Sequence, residues 1–65
     1  MIHELKSNKH RVSVHVMMGG GFGVITERIG LCSMIQLVNS TELTAMFLMI
    51  ENFKRLENNN KLNQE

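Results

Sequence analysis

Three consecutive glycines, Gly19, Gly20 and Gly21, limit the possible folds of this chain more than any other feature. Glycine adopts positive φ angles without a steric penalty but weakens helices and strands, so three in a row indicate a chain reversal. Before them, over 11–16, valine alternates with polar residues, which is the pattern of a half-buried strand. The sequence therefore predicts a strand over about 11–18 that ends in a glycine-rich hairpin.

The glycine run does not match a phosphate-binding loop. A P-loop that began at Gly19 would require Gly-Lys-Ser/Thr where the chain has Val24, Ile25 and Thr26. A dinucleotide-binding fingerprint requires glycine or alanine at Val24 and a βαβ unit, for which 65 residues leave no room. We therefore expect no nucleotide at this loop and no cofactor elsewhere.

The segment 24–38 fits two strands better than it fits one helix. Six of its fifteen residues are valine, isoleucine or threonine, which are enriched in strands. Gly30 would cost about 1 kcal/mol inside a helix relative to alanine, whereas it suits the left-handed position of a short hairpin loop. We predict strands over about 22–28 and 31–38; a single helix over 24–38 is the alternative.

A helix is predicted over about 41–57. Asn39 or Ser40 can cap its first turn, and Glu42 adds a favourable negative charge there. The apolar residues that follow repeat at helical spacing: Leu43, Met46, Phe47, Ile50, Phe53 and Leu56. We expect this apolar face to pack on the sheet.

Together these elements predict an α+β fold, a three-stranded antiparallel β-meander packed against one C-terminal α-helix. Residues 1–57 form a single small domain in this interpretation, and the polar, aperiodic residues 1–10 form a loosely ordered arm. The polar, asparagine-rich tail at 58–65 is expected to be disordered.

A chain this short needs more stabilisation than its own core supplies. A lone domain of this size buries only about 60% of the surface that its unfolded chain exposes, and Cys32, the single cysteine, allows no disulfide within the chain. Ala45, Leu48 and Met49 extend the apolar surface of the helix beyond what one small sheet covers. These features predict a homo-oligomer, with a dimer as the expected state.

The sequence offers no set of residues suited to catalysis or metal binding. His10 and His15 have H-x₄-H spacing, but a separation of five places them on opposite faces of a strand. The other candidate ligands are His3 and Cys32, and a lone cysteine in an apolar run is more typical of packing. The chain has no aspartate, and the spacing of its six glutamates pairs none of them in one pocket. We expect neither a metal nor an enzymatic activity.

Charge and hydropathy point to a cytoplasmic protein. The formal net charge of +1 favours neither a nucleic acid nor a membrane as partner. The longest apolar run, at 45–50, has six residues, too few to span a membrane, and the first residues show no signal-peptide pattern. A single cysteine is typical of a compartment in which thiols stay reduced.

The function predicted from these observations is that of a small, non-enzymatic regulator, adaptor or inhibitor. It would act through protein–protein contacts, with itself as a homo-oligomer and with a further, unidentified protein. The predicted interaction surface joins the hairpin to the flank of the helix: Met17, Met18, Phe22, Leu48 and Met49.

The chain also resembles, in part, the ribbon–helix–helix family of DNA-binding transcriptional regulators. RVSVHV at 11–16 resembles that family's strand, and TAMFLMIENFKRL at 44–56 resembles its second helix. Two chains of that family pair their strands into a ribbon that enters the major groove. The resemblance implies that Arg11, Ser13 and His15 read bases. The glycines at 19–21 and 30 depart from the pattern, because they fall where the first helix would lie.

Overall fold

The computed structural model describes residues 2–31 and 33–64, with side chains described as far as residue 59. It shows a four-stranded antiparallel sheet in the order β1-β2-β3-β4 and one C-terminal helix. The elements are β1 (His3–Lys6), β2 (His10–Val16), β3 (Phe22–Arg28), β4 (Ser33–Val38) and α1 (Glu42–Gln64). The predicted α+β class is confirmed, and the meander has one strand more than predicted.

The additional strand, β1, stands in the segment for which the sequence suggested a loosely ordered arm. It pairs with β2 so that Leu5 lies opposite Val12 and Glu4 opposite Ser13. Leu5 packs against the core, whereas the alternate residues of the strand are exposed. A four-residue edge strand with one partly buried leucine carries too short a pattern to recognise, which is why the sequence did not indicate it.

The glycine run forms the hairpin between β2 and β3, as predicted. All three glycines have positive φ angles, and the amide of Met17 donates to the carbonyl of Gly21 at 3.2 Å. Gly30, in the turn between β3 and β4, also has a positive φ, of 86°. The two-strand interpretation of 24–38 is therefore right, and both the helical alternative and the ribbon–helix–helix fold are wrong. Cys32 lies outside the described residues.

The core lies between one face of the sheet and α1. Val12, Val14 and Val24 are fully buried on the sheet, and Ala45 and Met49 are buried on the helix. Partly buried apolar residues surround this cluster: Leu5, Phe22, Val38, Leu48, Ile50, Phe53 and Leu56. α1 packs on β1, β2 and β3 and leaves most of β4 uncovered, which decides where apolar surface stays exposed.

α1 begins where predicted but continues beyond the predicted end. Thr41, rather than Asn39 or Ser40, takes the capping role, because its Oγ1 accepts from the amide of Thr44 at 3.3 Å. The helix runs to Gln64, so the backbone of 58–64 is helical where we expected a disordered tail. The segment contains neither glycine nor proline, and nothing in the sequence therefore forces the helix to end near 57.

Within the described part of the chain, no helix combines the length and the apolar character needed to cross a membrane.

Candidate protein interface

β4 is an edge strand that exposes apolar side chains on both of its faces. It pairs with β3 alone, at one end of the sheet. Met34, on the face that carries α1, is 70% exposed; Ile35 and Leu37, on the opposite face, are 57% and 72% exposed. Antiparallel strands commonly bury one face and solvate the other with polar residues, so two exposed apolar faces require an explanation.

The two edges of the sheet differ in how they are protected. Native proteins shield free edges with charged residues, prolines, bulges or very short strands. The β1 edge is shielded in two of these ways, because the strand has only four residues and exposes the charged Glu4 and Lys6. β4 has six residues, SMIQLV, with neither a charge nor a proline. The β4 edge is thus the candidate interface of the molecule.

The sheet face turned away from α1 is divided into a polar half and an apolar half. On β2 and its neighbours, Arg11 forms ion pairs with Glu4, at 3.6 Å between Nε and Oε2, and with Glu27. On β3 and β4, Ile25 lies directly opposite Ile35, and Gly23 lies opposite Leu37. The apolar half therefore continues to the β4 edge without an intervening charge.

The residues suggested as DNA readers lie in the polar half of this face, and all three are engaged within the chain. Arg11 is held between two glutamates. Ser13 is only 3% exposed, and its hydroxyl lies 2.9 Å from Nε2 of His15. β2 is also a central strand, paired on both sides, so it cannot form the two-chain ribbon that the resemblance implied.

The residues predicted for the interaction surface are dispersed. Met18 is fully exposed at the hairpin, whereas Phe22 and Leu48 are partly buried against the core. Met17 folds back over the sheet, since a Cβ built on Gly23 would lie 2.7 Å from its sulfur. Met49 is 4% exposed and belongs to the core, because it lies one turn after Ala45 on the sheet-facing side of the helix.

The exposed apolar surface of α1 lies elsewhere on the helix. Leu43 and Phe47, one turn apart, are both exposed and face away from the core. Both residues were predicted to pack on the sheet, and that prediction is wrong for them. The excess apolar surface of the helix therefore lies at Leu43 and Phe47, whereas Ala45 and Met49, which were predicted to form it, are buried in the core.

A sequence signal for β4 was available. Alternation along the strand places Met34 and Val38 on one face and Ile35 and Leu37 on the other. Gln36 is the one polar residue between them. An unbroken apolar pattern of this kind is typical of a strand buried on both faces. In this chain the same pattern occurs at an edge, where β3 is the one strand of the described residues that pairs with it.

A polar cluster at the other end of the sheet joins the β1–β2 turn to α1. The hydroxyl of Ser7 donates to Oε1 of Glu57 at 2.5 Å, and the buried His10 places Nδ1 3.5 Å from the same oxygen. In a nucleophile–base pair the hydroxyl would instead face the imidazole. This arrangement anchors the turn to the helix. Among the described residues, no three histidine, aspartate or glutamate side chains lie close enough together to hold a metal ion.

The structure thus presents one uncharged sheet edge as its most distinctive surface. Compared with protein-family models, with curated proteins and with solved structures, the chain shows no match to any of them.

Proposed function

We propose that this chain is a small, non-enzymatic protein that acts through protein–protein contacts as a homo-oligomer, of the regulator, adaptor or inhibitor type. The observation that carries the proposal is the β4 edge, where Met34, Ile35 and Leu37 are exposed on a strand that contains no charged residue. A sheet edge of this length and composition pairs readily with another strand.

Association also accounts for how so short a chain maintains its fold. Among the side chains that the structure describes, the fully buried ones are no larger than valine. Chains of this size usually depend on a disulfide, a metal or a partner subunit. The lone cysteine allows no disulfide within the chain, so a partner subunit is the form of support that we propose.

Sedimentation equilibrium from micromolar to submillimolar concentrations tests the proposal. We expect the wild-type chain to associate, and we expect Ile35→Lys to weaken association by at least about tenfold, since it places an unpaired charge at the contact. Phe47→Lys is the matched control, because Phe47 is similarly exposed but lies on the helix.

The outcomes separate clearly. Association that Ile35→Lys weakens and Phe47→Lys leaves unchanged supports the β4 edge as the contact. A wild-type chain that remains monomeric over the whole range contradicts the homo-oligomer. Circular dichroism of both variants checks that the lysines have not unfolded the chain.

A further inference from the structure

We infer that β4 pairs with β4 of a second copy of this chain, antiparallel about a two-fold axis through Gln36, so that two sheets join into one of eight strands. The inference rests on the homo-oligomer proposed above and specifies its contact. It follows from the order of residues along β4.

The strand is complementary to itself in this register. With Gln36 on the axis, Ile35 of each copy lies opposite Leu37 of the other, on the face away from α1. On the helix side, Met34 lies opposite Val38. Every apolar residue of β4 thereby meets an apolar residue. The two Gln36 residues lie opposite each other at the centre, where Oε1 of each accepts a hydrogen bond from Nδ2 of Asn52 on its own α1 at 3.3 Å. Cross-strand pairs of this kind are the unit of sheet stabilisation.

Other registers match less well. An axis through Ile35 would place Leu37 opposite Ser33 and Met34 opposite Gln36, so that apolar side chains face polar ones. A shift by one residue would set side chains of opposite faces against each other, because side chains alternate along a strand. The register centred on Gln36 is therefore the one that the sequence favours.

The strand that pairs with the β4 edge is β4 of the second copy and not its β1. Pairing β4 with β1 would leave a free edge at each end and would continue into a filament. The charges of β1, at Glu4 and Lys6, oppose such pairing. Two β4 edges contain no charge, and their pairing closes the assembly at two copies.

The contact between two six-residue strands falls at the low end of interface sizes, so we expect a dissociation constant in the micromolar range.

Cysteine cross-linking tests the register. In a Cys32→Ser background, Ile35→Cys and Leu37→Cys are made as separate chains and oxidised alone and as an equimolar mixture. Directly opposed residues lie about 5 Å apart, whereas diagonal neighbours lie about 7–8 Å apart, beyond the reach of most disulfides. We therefore expect at least about tenfold more cross-linked dimer in the mixture than in either chain alone.

The possible results distinguish the β4 pairing from the homo-oligomer. Efficient cross-linking of Ile35→Cys alone would overturn the register centred on Gln36. A chain that sediments as a dimer but does not cross-link in the mixture would overturn β4 pairing and leave the homo-oligomer intact. A monomer would overturn both.

Hydrogen exchange of the wild-type chain tests the β4 pairing without the Cys32→Ser substitution, which could itself affect folding. The outward-facing amides of β4 have no strand partner in the single molecule, and dimer formation would hydrogen-bond them. We expect their hydrogen exchange to slow at least about tenfold as the chain passes from monomer to dimer. Exchange that does not depend on concentration, in a chain that is dimeric, contradicts β4 pairing.

Discussion

At the scale of single residues, the hairpin between β2 and β3 depends most on Gly21. Gly19, Gly20 and Gly21 have φ angles of 86°, 92° and 80°, which side chains rarely adopt. Around Gly19 and Gly20 there is open space, but a Cβ on Gly21 would lie 3.0 Å from the carbonyl oxygen of Val38. Gly21 therefore combines a conformational requirement with close approach of the backbone at the end of β4.

Alanine substitution separates these two requirements. We expect Gly20→Ala to lower the free energy of unfolding by about 1–2 kcal/mol, the cost of the left-handed conformation. Gly21→Ala carries the same cost and must in addition displace the backbone at Val38, so it lowers the free energy further. Urea unfolding of both variants provides the measurement. Equal losses would mean that the contact with Val38 is unimportant.

At the scale of elements, the strands and turns that could be predicted from the sequence are those that depend on residues close together in the chain. The valine alternation of β2 and the glycines of both hairpins require particular backbone conformations whatever surrounds them, and both hairpins were predicted. β1 depends instead on a non-local pairing, in which Leu5 meets Val12 across the turn. A pairing of this kind leaves almost no trace in a four-residue segment.

The interface was harder to predict than the fold, because exposure depends on where α1 lies. Met49 and Phe47 are both apolar residues of one helix, and only the packing of that helix decides that Met49 is buried and Phe47 exposed. Likewise, the apolar pattern of β4 indicates burial on both faces. It does not reveal that the helix covers the other three strands.

The last turns of α1 extend beyond the residues that anchor the helix. The apolar contacts of the described helix with the core end at Leu56, so we expect truncation after Asn59 to change the free energy of unfolding by less than about 0.5 kcal/mol. Leu56→Ala is the control, with an expected loss of about 1–2 kcal/mol, below the range for fully buried leucines. Thermal unfolding followed by circular dichroism measures both. A large loss on truncation would show that the final turns support the fold.

At the scale of the whole molecule, charge and apolar surface are segregated. Ion pairs hold the end of the sheet near β1, where Arg11 bridges two glutamates and His3 Nε2 lies 3.0 Å from Glu42 on α1. The other end presents β4 without charge. The β1 edge thus carries charged residues and the β4 edge carries none, an asymmetry that supports the proposed two-copy assembly over a filament.

This segregation predicts how salt affects association. Raising the salt concentration from about 0.1 M to about 1 M shortens the Debye length from about 10 Å to about 3 Å and weakens contacts between exposed charges. Because β4 contributes no charge, we expect the dissociation constant to change by less than about threefold over this range. Sedimentation equilibrium at several salt concentrations measures this dissociation constant.

A contact through the face that carries Arg11 and Glu27 would weaken markedly as the salt concentration rises. Binding of a nucleic acid would weaken still more steeply, by about one power of the salt concentration for each phosphate contacted. Dissociation of the oligomer by salt would therefore assign the contact to the charged half of the sheet and not to β4.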